Sequence, residues 1–122
     1  MRHEGRPLQL EGLRVRIEEA AGGLVVTRKD SGERVGTVVA EVEDGALFVR
    51  SLYVEEGHRG FGLGSETAHL LREAAEAAGF VALRAWAPPE RGLAVYFWCR
   101  MGLRPLHGEG PEGGIWMERR LG

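Results

Sequence analysis

GHRGFGLGSE, residues 57–66, places Gly60, Gly62 and Gly64 at alternate positions behind Arg59, directly after the strand-like run ALFVRSLYVEE (46–56). Glycine loses more chain entropy on folding than any other residue, so three within five positions need a structural reason. Downstream, GSETAHLLREAAEAAG (64–79) is rich in Ala, Leu and Glu, all good helix formers. Its Ala68, Leu71, Ala75 and Ala78 form one apolar stripe, and Gly79 stands where a left-handed cap is expected. A strand, a glycine-rich turn and a helix start together make an anion site. Unpaired amides point outward, the helix dipole favours negative charge, and no Cβ obstructs a phosphate. Arg59 adds a positive charge at the entrance. A glycine-rich connector without a ligand is the competing reading, and the glycines alone do not separate the two.

Two other phosphate loops are excluded. A P-loop needs Lys-Ser/Thr after its last glycine, and Gly64 is followed by Ser65-Glu66. A dinucleotide fingerprint needs a third glycine at the position of Ser65, and its ribose-binding acid is missing as well. Glu66 opposes any anion site unless its side chain turns away.

Working outward, LRVRIEEA (13–20), LVVTRKD (24–30), RVGTVVAEVED (34–44) and the run at 46–56 read as four strands at hairpin spacing, an antiparallel meander. After the helix, FVALRAWA (80–87) has the low polar content of a strand near a sheet centre and is ended by Pro88-Pro89. RGLAVYFWCRMG (91–102) reads as a second helix closed by Gly102; LRPLHG and GIWMERRL then read as two strands joined by EGPEGG. The expected fold is an α/β (α+β) single domain over residues 1–122: one mixed sheet of about seven strands with two main helices.

At 122 residues, 43% hydrophobic and 28% charged, the chain has the composition of one folded domain. The formal charge of −2 without a basic block argues against a nucleic-acid binder. No run is long enough to span a bilayer, and MRHEGRPLQLEG lacks a signal-peptide core, so the expectation is a cytoplasmic protein without membrane partners. Cys99 is the only cysteine, which rules out an internal disulfide and a cysteine-based zinc site, and no metal is expected. Fifteen arginines stand against one lysine, Lys29, and there is no asparagine, so no role needing an Asn side chain can be filled.

Arg59-Gly60-Phe61-Gly62-Leu63-Gly64 resembles the R/Q-x-x-G-x-G/A motif of the GNAT superfamily of acyl-CoA-dependent N-acetyltransferases. The resemblance extends upstream to Leu52-Tyr53-Val54 and downstream through LAVYFWCRMGLRP, covering about residues 33–121. It implies a GNAT-like fold and acetyl-CoA as co-substrate, with transfer to an amine acceptor by direct attack. It further implies that the backbone of Arg59, Gly60, Phe61, Gly62, Leu63, Gly64 and Ser65 holds the pyrophosphate. By the same resemblance, main-chain groups of Leu52, Tyr53 and Val54 would pair with pantetheine, one of their amides polarising the thioester.

Departures from the family set further expectations. Trp98 stands at the position of the family's tyrosine, thought to be the acid for the leaving thiolate, and an indole N–H is no acid near neutral pH. Tyr96 lies on nearly the opposite helix face, and Arg91 replaces an asparagine often found near the helix start. Phe48 stands where some members carry a glutamate. Glu41, Glu43 and His107 are the candidate bases, each competing with a plain surface role. His69 falls on the polar side of its helix, and Cys99 reads as a small packed residue. Arg50 and Arg84 either face an anionic acceptor in the cleft or, the favoured reading, pair with acids such as Glu43. EEAAGGLVV leaves room for a turn in place of the family's two N-terminal helices, so a homodimer is expected to complete the acceptor side. A catalytically silent acyl-CoA-binding module is the alternative function.

Overall fold

The computed structural model describes residues 2–3, 6–7, 9–20, 23–88, 92–106 and 114–121. Alternating apolar residues form β4 (Val15–Ala20), β5 (Gly23–Arg28), β6 (Arg34–Glu43) and β7 (Ala46–Val54), successive antiparallel partners as their turns demand. A short 3₁₀ turn (Glu56–His58) and the glycine run lead into α1 (Leu63–Ala77), which crosses over to β8 (Ala82–Ala87), parallel to β7. The helix α2 (Gly92–Arg100) leads to β9 (Arg104–Pro105) and β10 (Ile115–Arg120), and β10 runs antiparallel to both β8 and β9.

With β3 (Gln9–Glu11) at one edge, the main sheet has eight strands among the described residues, in the order β3-β4-β5-β6-β7-β8-β10-β9. The strand beyond the expected number is β3, laid antiparallel along β4 in a segment to which the sequence reading assigns no element. Three residues are too few for alternation to announce a strand; the pairing is supported by Glu11, whose carboxylate lies 3.1 Å from Arg16 Nε. The segments β1 (Arg2–His3) and β2 (Arg6–Pro7) pair separately. Ala20 pairs with Gly23, so only two positions of sequence separate β4 from β5.

Both helices lie over one face of the sheet. Leu63, Ala68, Leu71 and Ala75 of α1 and Trp98 of α2 join one apolar cluster with Val15, Ile17, Leu24, Val26, Val38, Leu47, Val49, Leu83, Ala85 and Met117. Gly79 and Gly102 follow the helices at φ +83° and +93°, the left-handed caps anticipated from the sequence. Strand alternation sends Val25, Val39, Phe48, Trp86 and Trp116 to the opposite face, which carries no helix among the described residues.

On that open face Phe48 is buried beneath the edge of Trp116, ring centroids 4.1 Å apart. Arg50 and Arg84 are paired, as expected, but with different acids. Arg50 Nε lies 2.9 Å from Glu41, and Arg84 Nε 2.7 Å from Glu118. Glu43 sits beside the β6–β7 turn, out of line with both arginines in the strand register, and is not the partner.

Candidate functional site

The site is built around an irregularity in β7. Val39 pairs with Ser51 but Ala40 pairs with Val49, so Arg50 is one residue too many, a β-bulge. Before it, Leu47 and Val49 face the core; after it, Leu52 does, with Val54 on the same face by alternation, a shift of phase by one residue. The parallel pairing of β7 with β8 ends at the same place, with Val49 opposite Ala85. Beyond it the two strands part, and β7 from Arg50 to Val54 has an unpaired edge.

Ladder geometry fixes which groups line that edge. Glu55 donates its amide to Val35, so Tyr53 and Glu55 direct their main-chain groups toward β6. The backbone groups of Leu52 and Val54, alternating with them, point to the unpaired side. The Val54 carbonyl is taken by Arg59 Nε at 2.9 Å, while the guanidinium stacks 5.4 Å from the centre of the Tyr53 ring. What the edge still offers is the Leu52 amide and carbonyl and the Val54 amide.

The glycine run closes one end of this edge. Gly60 and Gly62 adopt φ +87° and +76°, values that L side chains rarely accept. Gly62 is the N-cap of α1 and supplies no side chain to cap it, so the amides of the first helical turn remain open. Gly64 lies against side chains of β7 and α2: a Cβ there would meet those of Val54 at 3.5 Å, Phe97 at 3.7 Å and Leu52 at 3.8 Å. A groove of about 390 Å³ runs between this loop and α2, lined by Val54, His58, Arg59, Gly60, Gly62, Leu63, Gly64, Ser65, Phe97 and Arg100.

Glu66 is directed away from the groove. Its Oε2 accepts the amides of Arg14 at 2.7 Å and Val15 at 2.9 Å, and its Oε1 accepts Arg14 Nε at 3.1 Å. Burial pushes its carboxyl up, but those two amides and the Arg14 guanidinium outweigh burial and hold it below the ordinary carboxylate value. The objection that Glu66 raised in the sequence is thereby removed.

The residues singled out from sequence separate into groups. Leu52, Val54, Arg59, Gly60, Gly62, Leu63, Gly64 and Ser65 come together around the groove. Tyr53 stands on the open face beneath Arg59, and Phe61 stacks on Arg28 at 5.5 Å. Trp98 is 4% exposed within the core, its ring edge against Phe97, so the role of thiolate acid finds no support in its placement. Phe97 and Arg100 are the α2 residues that line the groove; the sequence reading passed over both. Glu41 lies on the open face, held by Arg50, whereas Tyr96 and Cys99 are exposed on α2. His107 and Arg91 fall outside the described residues.

The acetyltransferase (GNAT) family model matches residues 2–102 of this chain. The fold is similar to that of an acetyltransferase from Thermus thermophilus, at 26% identity over 89% of this chain and 66% of that one, with a TM-score of 0.68. It is also similar to an IAA acetyltransferase from Bacillus cereus (19% identity, 81% of this chain, 78% of that one, TM-score 0.67). A Bacillus subtilis acetyltransferase solved in complex with CoA is a further neighbour (14% identity, 81% and 77% covered, TM-score 0.67). No curated protein matches the sequence.

The half-buried Glu66 carboxylate has a thermodynamic signature. Its lowered pKa stabilises the fold fully above the unfolded value near 4.5, and the contribution is lost as pH falls through the folded value. Glu66→Gln should therefore cost about 1–2 kcal/mol at pH 7. In urea titrations at stepped pH, the gap between wild type and variant should narrow below about pH 4.5. A gap that stays constant or widens on acidification would contradict this account of Glu66.

Proposed function

Because this chain belongs to the acetyltransferase (GNAT) family, we propose that it transfers an acetyl group from acetyl-CoA to an amine by direct attack. The observation that carries the proposal is the unpaired edge of β7 meeting the open amides of the glycine loop in one groove. The residues present fit such a ligand. Amides from Arg59 through Ser65 would hold the diphosphate, with Arg59 and Arg100 supplying positive charge from the two walls. The Leu52 amide and carbonyl and the Val54 amide would hold the pantetheine arm as an added strand would be held. When bound, acetyl-CoA supplies an activated acyl group on a thiol that can leave.

The Leu52 amide, nearest the bulge among the outward-facing groups, is the donor placed to stabilise negative charge developing on the thioester oxygen. One such donor contributes about 3 kcal/mol. The rest of the acceleration comes from orientation. The amine would approach over the open face, where Phe48, Trp116 and the Arg50–Glu41 pair stand beside the parting strands. Its proton leaves to Glu41 or directly to solvent. A binding module without turnover is the second reading, favoured by the burial of Trp98 at the helix position where a proton donor is expected. Release of free thiol from acetyl-CoA in the presence of a panel of amines separates the two.

Acetyl-CoA at about 100 times its dissociation constant should stabilise the fold by about 2.7 kcal/mol. Gly64→Val should abolish that shift by narrowing the groove, while the apo protein still folds, since a Cβ there meets Val54, Phe97 and Leu52 at ordinary contact distances. Gly64 is a cleaner test than Gly62, whose φ of +76° makes any replacement strained. A melting temperature unmoved by millimolar acetyl-CoA in wild type would overturn the coenzyme reading.

The open face also supports a homodimer. Val39 and Tyr53 are 38% and 43% exposed there, and a second copy in two-fold symmetry would cover the surface that the missing helices leave bare. Light scattering at high micromolar concentration should return twice the chain mass of 13.4 kDa; a monomer mass would defeat the dimer.

A further inference from the structure

Arg14, in the turn between β3 and β4, lies far from the glycine run in sequence but touches it in space. Its Nη1 donates to the carbonyl of Phe61, and its Nη2 stands 3.0 Å from where a Cβ of Gly62 would be. The Phe61–Gly62 peptide is planar and trans, so its C=O and N–H point in opposite directions. Drawing the carbonyl toward the β3–β4 turn turns the Gly62 amide the other way, to the side on which Gly62 lines the groove. Left-handed glycines at 60 and 62 would otherwise let this stretch reorient at little cost.

Arg14 is itself fixed. Its Nε is bonded to Glu66, and Glu66 also takes the two backbone amides at the start of β4. The Glu66 side chain is 13% exposed, so solvent competes weakly for it. Gly12 makes room: a Cβ there would fall 2.5 Å from Glu66 Oε2. The chain of bonds therefore runs from the sheet, through a carboxylate on the first turns of α1, to one carbonyl of the glycine loop. Because Glu66 neutralises Arg14, the pair orients the loop without adding net charge.

From this geometry we infer that Arg14 and Glu66 are positioning residues, presetting the glycine loop so that its amides already face the groove before the diphosphate arrives. The inference rests on the coenzyme placement proposed above. Preorganisation of this kind acts on binding and leaves the reacting groups alone.

Calorimetric titration with acetyl-CoA tests it, together with kcat at saturating acetyl-CoA wherever turnover is found. Arg14→Ala should weaken acetyl-CoA binding at least ten-fold with kcat within two-fold of wild type. Arg14→Lys, which can reach the Phe61 carbonyl or Glu66 but not both, should recover part of the loss. If Arg14→Ala fails to fold, Arg14→Lys and Arg14→Gln carry the measurement. Variants that melt earlier yet bind within two-fold of wild type would overturn the inference and leave the coenzyme reading standing. Wild type that binds no acetyl-CoA would remove both.

Discussion

One surplus residue in β7 organises the molecule. Had Arg50 been accommodated in a regular ladder, β7 and β8 could have stayed paired to their ends, and no main-chain edge would be open inside the sheet. The bulge shifts the side-chain phase, so Leu52 and Val54 rejoin the core face, and it coincides with the last parallel pair, Val49 with Ala85. An unpaired edge in the middle of a sheet leaves amides and carbonyls without partners. Part of that demand is met internally, by Arg59 on the Val54 carbonyl. The remainder faces a groove that ends at the bare first turn of α1, which is why a single extended ligand with an anionic end is the natural complement.

The two faces of the sheet do different work. One is sealed by α1 and α2 over a continuous apolar cluster, and this holds the strands rigidly enough for the parting of β7 and β8 to persist. Among the described residues the other is covered by its own side chains: Trp116 over Phe48, and arginine–carboxylate pairs across strands. Exposed pairs such as Arg50–Glu41 contribute little stability. That face is better suited to receiving another molecule than to holding the fold together, and it carries the bulge residue Arg50 with its partner Glu41.

Much of this was legible in the sequence because it is local. The meander followed from alternation and turn residues, α1 from its stripe and its capping Gly79, and the groove's floor from the glycines behind Arg59. What sequence reading missed depends on contacts between distant residues. The bulge is hidden within ALFVRSLYV, where Arg50-Ser51 reads as one more polar interval in an alternating strand. Glu66 looked like an obstacle to an anion, and only its bonds to Arg14 and Val15, about fifty positions away, show it serving another purpose. Phe97 and Arg100 carry no motif that marks them, whereas Trp98, at the position the resemblance marks, is turned into the core by the packing of α2. The short β3 carries too few residues for any periodicity.

The central claim, that coenzyme A lies along the free edge of β7 with its diphosphate on the glycine loop, is tested most directly by backbone NMR. In a titration of isotopically labelled protein with CoA, the amides of Gly60 through Ser65 and those of Leu52 and Val54 should show the largest shift changes. Tyr53, whose amide is committed to β6, should move less than its two neighbours. Changes confined to other strands, or an equal response along all of β7, would contradict the account.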